Sequence, residues 1–150
     1  MEGGERLHRL YLGLGSNLGD REATITQAIS LIEQRVGQVV RKSTLIETEP
    51  WGFESVNRFL NGVVCCLTSL TPRQVLRATQ KIEREMGRKR KTVSGHSYTD
   101  RPIDIDILLY DNLRVDEPDL RIPHPLMHER DFVMIPLQEI YDGQEFVINY

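Results

Sequence analysis

The sequence predicts an α+β sandwich, and three observations carry that expectation. Alternating or β-branched stretches recur four times, near residues 10–14, 39–47, 59–68 and 102–110. Two segments between them repeat inward-facing residues at helical spacing: Ile25, Ile29, Ile32 and Val36, then Val75, Thr79, Ile82 and Met86. The resulting order is strand, helix, strand, strand, helix, strand, or two βαβ-like halves.

Each element has a local reason. Leu10, Leu12 and Leu14 alternate, as in a strand. Gly13-Leu14-Gly15-Ser16-Asn17 is expected to end it in a tight turn, and without a Walker lysine it is no P-loop. Asp20 is an N-cap for the first helix, and Gly37 stands just past its end. Residues 39–47 read as a second strand, and 48–57, with Pro50 and Gly52, as a loop. Residues 59–68 form the third strand. Thr71-Pro72-Arg73-Gln74 is a capping box with proline at the first helical position, and Gly87 stops the helix. Residues 88–101 are polar and basic, a mobile loop by composition. The fourth strand spans 102–110. Residues 113–115 and 120–122 are expected to pair as a hairpin, and 123–140 to be helical in pieces broken near Pro136. The expected fold is a ferredoxin-like βαββαβ sandwich with an added C-terminal hairpin and short helices. It forms a single domain over 1–150, with residues 1–8 a loose extension.

Composition narrows the function. A chain of 150 residues, 39% hydrophobic and 27% charged, suits one globular domain. The net charge of -3 gives no general attraction to nucleic acid or membrane, so an anion site must be a local basic cluster. Cys65 and Cys66 are strand neighbours that face opposite ways, neither a disulfide framework nor a metal spacing. The polar start is unlike a signal peptide, and no apolar run approaches a membrane span. These features point to a reducing, cytoplasmic setting with no obligatory protein partner.

The sharpest chemical signal is Asp104-Ile105-Asp106. Alternate strand residues share a face, so the aspartates point together while Ile103, Ile105 and Ile107 point into a core. Carboxylates roughly 6–7 Å apart along a strand can bracket hard cations that also bind phosphate. The alternative is a solvated strand face. The apolar neighbours make the strand an expected central one, where two acids are costly unless neutralised. Arg84, Arg88, Lys89, Arg90, Lys91 and Arg101 supply the local basic cluster, either a polyphosphate grip or a solvated run. Gln80 and Glu83 share one helix face and read as exposed polar residues. His124, fixed between two prolines, can reach a phosphate or an adenine edge.

The ordered set Gly15-Ser16-Asn17-Leu18-Gly19, Thr48-Glu49-Pro50-Trp51-Gly52, Phe59-Leu60-Asn61, Gln80-Lys81-Ile82-Glu83, Gly87-Arg88, Asp104-Ile105-Asp106-Ile107-Leu108, Pro123-His124-Pro125 and Arg130-Asp131-Phe132 resembles the 6-hydroxymethyl-7,8-dihydropterin pyrophosphokinase family. The resemblance implies transfer of the diphosphoryl group of ATP to the pterin hydroxymethyl, with release of AMP, in folate biosynthesis. It implies two Mg2+ ions on Asp104 and Asp106, and charge stabilisation by Arg88 and Arg101. Gln80, Glu83, Arg90, Ile107, His124 and Arg130 would contact ATP. Phe59 and Phe132 would sandwich the pterin, with Asn61, Thr48 and Pro50 at its edge. Two other readings stand beside it: a nucleotidyltransferase using the Asp-x-Asp pair, and a non-catalytic nucleotide- or pterin-binding module.

Overall fold

The sheet assembles on its first strand, β1 (His8–Ser16), in a computed structural model that describes residues 6–48, 58–87 and 102–141. β1 pairs antiparallel with β4 (Phe59–Thr68) on one edge and with β5 (Asp104–Tyr110) on the other. β2 (Gln38–Lys42) and β3 (Ile46–Thr48) pair in succession with the far edge of β4, so the order is β2-β4-β1-β5, with β3 beside β4. All these pairings are antiparallel. His8 belongs to β1, not to a loose extension: it pairs with Thr68, and its Nδ1 lies 2.7 Å from Asp111 Oδ2.

Alternation along the strands divides the core in two. Leu10, Leu12 and Leu14 are buried with Ile105 and Ile107 under α1 (Arg21–Arg35) and α2 (Pro72–Glu85), whose Ile25, Ile32, Val75 and Ile82 complete that layer. Tyr11, Val63, Cys65 and Leu108 face the other way. There α3 (Asp131–Ile140) covers them with Val133, Leu137 and Ile140. Both cysteines are buried thiols outside any disulfide, one in each layer, and burial pushes the Cys66 thiol up to about 12. That thiol stays protonated and unreactive at neutral pH.

The helix starts follow their sequence signals. Asp20 accepts from Ala23 N at 3.1 Å, and the Thr71–Gln74 capping box is closed in both directions. Gly87 ends α2 at φ +103, a conformation that favours glycine.

Five further expectations are corrected. Gly13 and Gly15 lie inside β1, paired on both sides, not in a turn. The stretch 39–47 is two strands, because residues 43–45 leave the ladder. The hairpin arms are β6 (Val115–Glu117) and β7 (Leu120–Ile122), moving the first arm two residues on. Arg73 of α2 forks to Glu117 and Asp119 at that turn. α3 runs on through Pro136, which is buried in its apolar face, after one 3-10 turn at Met127–Glu129. Among the described residues β5 lies at the end of the strand order and is not central.

The break between β2 and β3 is held by α3. Thr44 donates through its backbone N to both oxygens of Glu139, at 3.0 and 3.1 Å, and through Oγ1 to Oε2 at 2.9 Å. Arg41 donates to the Ile140 carbonyl at 3.0 Å. The Glu139 clamp therefore fixes the segment leading into β3. Glu139→Ala is expected to cost about 1 kcal/mol, given the exposure of these bonds. The thermal midpoint should then fall by roughly 2–4 °C. An unchanged midpoint would show that the clamp adds nothing to stability.

Candidate active site

Cross-strand register builds the site. Gly15 of β1 lies opposite Asn61 of β4 on one side and Asp104 of β5 on the other, and Gly13 lies opposite Val63 and Asp106. Directly opposed residues share a face. Asn61, Asp104 and Asp106 therefore stand on the face turned away from α1 and α2, as do Phe59 and Thr48, which oppose each other. Two inter-strand spacings, about 10 Å, separate the Asn61 and Asp104 backbones. Between them lies only the bare backbone of β1.

The amide side of this row is tightly held. Asn61 is 6% exposed, and its Nδ2 donates to Thr48 Oγ1 at 2.7 Å. Thr48 enters this row through its side chain, which is what holds Asn61. Phe59 is half-buried, a position that leaves part of its ring accessible.

On the acidic side, Asp104 is half-buried and Asp106 exposed. Ile105 between them is buried on the helix side, and its backbone N donates to Glu83 Oε2 at 2.7 Å. Glu83 thus fixes the edge backbone from which both aspartates project. Among the described residues, no group of three or more His, Cys, Asp or Glu could hold a metal unaided. Two carboxylates beside side-chain-free backbone suit a hard cation that takes its other oxygens from water and phosphate, as Mg2+ does.

Other expected contacts sit around this row or away from it. His124 donates its backbone N to Leu108 O at 3.0 Å, so it is docked on β5. Its Nδ1 accepts from Leu126 N at 3.3 Å, which leaves the ring proton on Nε2. Arg130 places its guanidinium 5.6 Å from the centre of the Phe132 ring, which lies in the first turn of α3. Gln80 is exposed on α2. The Ile107 side chain is buried in the helix-side core, on the face opposite the aspartates. Pro50, Arg88, Arg90, Arg101 and the expected basic loop lie outside the described residues.

Sequence reasoning missed Gly15 as the residue that leaves β1 bare between Asn61 and Asp104. The signal was present: glycine at 13 and 15 alternates with leucine at 12 and 14, the two-residue period of one strand with one filled and one empty face.

An antiparallel sheet with helices on both faces and a paired-aspartate row beside a buried amide defines an α+β protein with an acidic row on one sheet face. Comparison with known proteins places it more closely. Residues 11–142 match the model of the 7,8-dihydro-6-hydroxymethylpterin-pyrophosphokinase family, and the chain belongs to that family. It is 50% identical over 132 residues to the 2-amino-4-hydroxy-6-hydroxymethyldihydropteridine pyrophosphokinase of Porphyromonas gingivalis, covering 87% of this chain and 89% of that protein. It is 44% identical over 131 residues to the protein of that name from Bacillus subtilis, covering 87% of this chain and 76% of that one. Among solved structures, a Plasmodium falciparum HPPK-DHPS triple mutant superimposes with a TM-score of 0.67 at 18% identity. That match covers 91% of this chain and 41% of the parasite protein, and it bears on the fold alone.

Burial, reinforced by the positive Arg130, holds the His124 pKa below the ordinary histidine value. The folded state therefore binds this proton less readily than the unfolded chain does, and stability falls as pH drops below about 6.5. His124→Gln should remove that part of the loss. Thermal midpoints of both proteins between pH 7.5 and 5.5 should diverge on the acid side, and parallel curves would remove the assignment.

Proposed function

We propose that phosphoryl transfer takes place across β1, between the aspartates of β5 and the Asn61–Phe59 side of β4. The chain is an ATP-dependent pyrophosphokinase of folate synthesis. It transfers the diphosphoryl group of ATP to the hydroxymethyl of 6-hydroxymethyl-7,8-dihydropterin. The hydroxymethyl oxygen bonds to the β-phosphorus, and the oxygen bridging the α- and β-phosphorus atoms leaves with AMP.

The observation that carries the placement is the register Asn61–Gly15–Asp104. It sets an amide and an aromatic ring on one side of a bare strand and two carboxylates on the other. Asn61, fixed by Thr48, presents hydrogen-bonding groups to the edge of the heterocycle. Phe59 and Phe132 offer ring faces for stacking. Asp104 and Asp106 would hold two Mg2+ ions, which when bound offset phosphate charge and align the chain of phosphates. His124, neutral with its proton on Nε2, donates to a phosphate oxygen without adding positive charge. Glu83 serves the nucleotide side by fixing the Ile105 backbone, and Gln80 and Arg130 would contact the nucleotide. Arg88, Arg90 and Arg101 carry the remaining charge, and Pro50 completes the pterin edge. An exposed acceptor alcohol needs positioning and charge neutralisation more than it needs a protein nucleophile.

We assign the architecture to the ferredoxin-like class, as one domain over 1–150. Its support is the antiparallel order β2-β4-β1-β5, with α1 and α2 on one face. The nucleotidyltransferase reading needs an acidic pair soon after a Gly-Ser turn. Gly15 and Ser16 here are strand residues, and most of the chain separates them from Asp104.

With Mg2+, ATP and the dihydropterin, the product nucleotide is expected to be AMP. ADP as the sole product would overturn the transfer assignment. Asp104→Ala and Asp106→Ala should each lower kcat by about a hundredfold or more. Their thermal midpoints should stay near that of the wild type. Near-normal turnover in either variant would remove the metal role.

A further inference from the structure

We infer that Gly15 is a specificity-determining residue, whose missing side chain is what allows Asn61 and Phe59 to lean over β1 and receive a flat acceptor. The inference rests on the pterin reading of Asn61 and Phe59. A Cβ built on Gly15 would come within 2.9 Å of Asn61 Oδ1 and 3.5 Å of Phe59 Cδ1. Carbon and oxygen do not pack at the shorter of those distances, so one of them must move.

Neither has an easy way to move. The Asn61 carboxamide is held at its other atom by Thr48 Oγ1 at 2.7 Å and is nearly excluded from solvent. β1 is fixed from behind, since Leu14 is 3% exposed among the helix-side core residues. A methyl at 15 therefore turns the carboxamide away from its bonded position. The same addition at Gly13 meets only the Leu108 side chain, at 3.5 Å, an ordinary contact. The constraint is thus particular to position 15 and is not a general property of glycine in this strand.

Position 15 is also midway along the row. Its backbone lies about 5 Å from that of Asn61 on one side and of Asp104 on the other. A hydroxymethyl group carried by a ring at Asn61 reaches the phosphate side directly above it. A carboxamide displaced by a side chain there intrudes on the acceptor and leaves the nucleotide side untouched.

The test is steady-state kinetics and thermal unfolding of the full chain bearing Gly15→Ala, Asn61→Ala or both. Gly15→Ala should raise the KM for the dihydropterin about tenfold or more, with the KM for ATP within about twofold. The double variant should be no worse than Asn61→Ala by more than about twofold, because the atom that the methyl meets is gone. A dihydropterin KM within about threefold of the wild type would overturn the inference. Parallel rises in both KM values, or additive losses in the double variant, would do the same. If Gly15→Ala alone fails to fold, the double variant should recover folded protein, and its failure to do so counts against the inference. Wild-type chain that forms no AMP with the dihydropterin removes the underlying reading and the inference with it; active wild type with an unaffected Gly15→Ala removes the inference alone.

Discussion

The register of β1 between β4 and β5 is the constraint on which the rest depends. A strand has only two faces, and a slip of one residue exchanges them. Here one face must present Leu10, Leu12 and Leu14 to the helices, and all three are almost fully buried. Burying each leucine is worth about 2 kcal/mol, so a slipped register would forfeit several kcal/mol at once. That apolar requirement, not any attraction among polar groups, directs Asp104, Asp106 and Asn61 to the other side. The chemistry is positioned by the core behind it.

A register shift between Tyr11 and Leu12 keeps both demands compatible along β5. Leu12 faces Ile107 and Tyr11 faces Leu109, which makes Leu108 the extra residue of a bulge. Before the bulge, Ile105 and Ile107 face the helices; after it, Leu109 joins Leu108 on the α3 side and Tyr110 returns to the helix side. Tyr110 then donates its hydroxyl to Leu70 O at 2.6 Å, tying the end of β5 to the turn before α2. The aspartates and the leucines at the bulge thus share one face of a short strand, with Ile105, Ile107 and Tyr110 on the other.

Much of this could be read from the residues alone. Thr71, Pro72 and Gln74 specify the start of α2 by local hydrogen bonding, which needs no tertiary partner. The bounds of β4 follow from its apolar run. What could not be read depends on partners distant in sequence. The break at 43–45 is set by Glu139 in α3, nearly a hundred residues away. Pro136 is a helix breaker by propensity, yet packing on the apolar face of α3 outweighs one lost hydrogen bond. The Gly-x-Gly pair was mistaken for a turn because glycine signals both turns and close approach, and only the neighbours across the strand decide between them. In the site, the aspartate pair and Asn61 were legible as types in order. That the aspartates share a face was legible too; that Asn61 stands on the same face, across a bare strand and bonded to the Thr48 side chain, was not.

The place of β5 at the end of the strand order changes the energetic argument for its acids. On a central strand, two carboxylates would be desolvated and costly to keep ionised. At this end of the sheet Asp106 is exposed and Asp104 half-buried, so neither bears the full desolvation of a buried carboxylate. The exposed edge carries its own liability, an outward backbone N–H at Ile105 that Glu83 satisfies from α2. Glu83 therefore answers a requirement of the sheet and, by the same bond, holds the backbone between the aspartates. A carboxylate there does what an amide would do less well, since the ionised acceptor makes the stronger bond to a backbone N–H. Strand geometry, edge protection and the aim of the two acids are consequences of one arrangement, which is why the most polar part of the molecule needs no buried charge to stay in place.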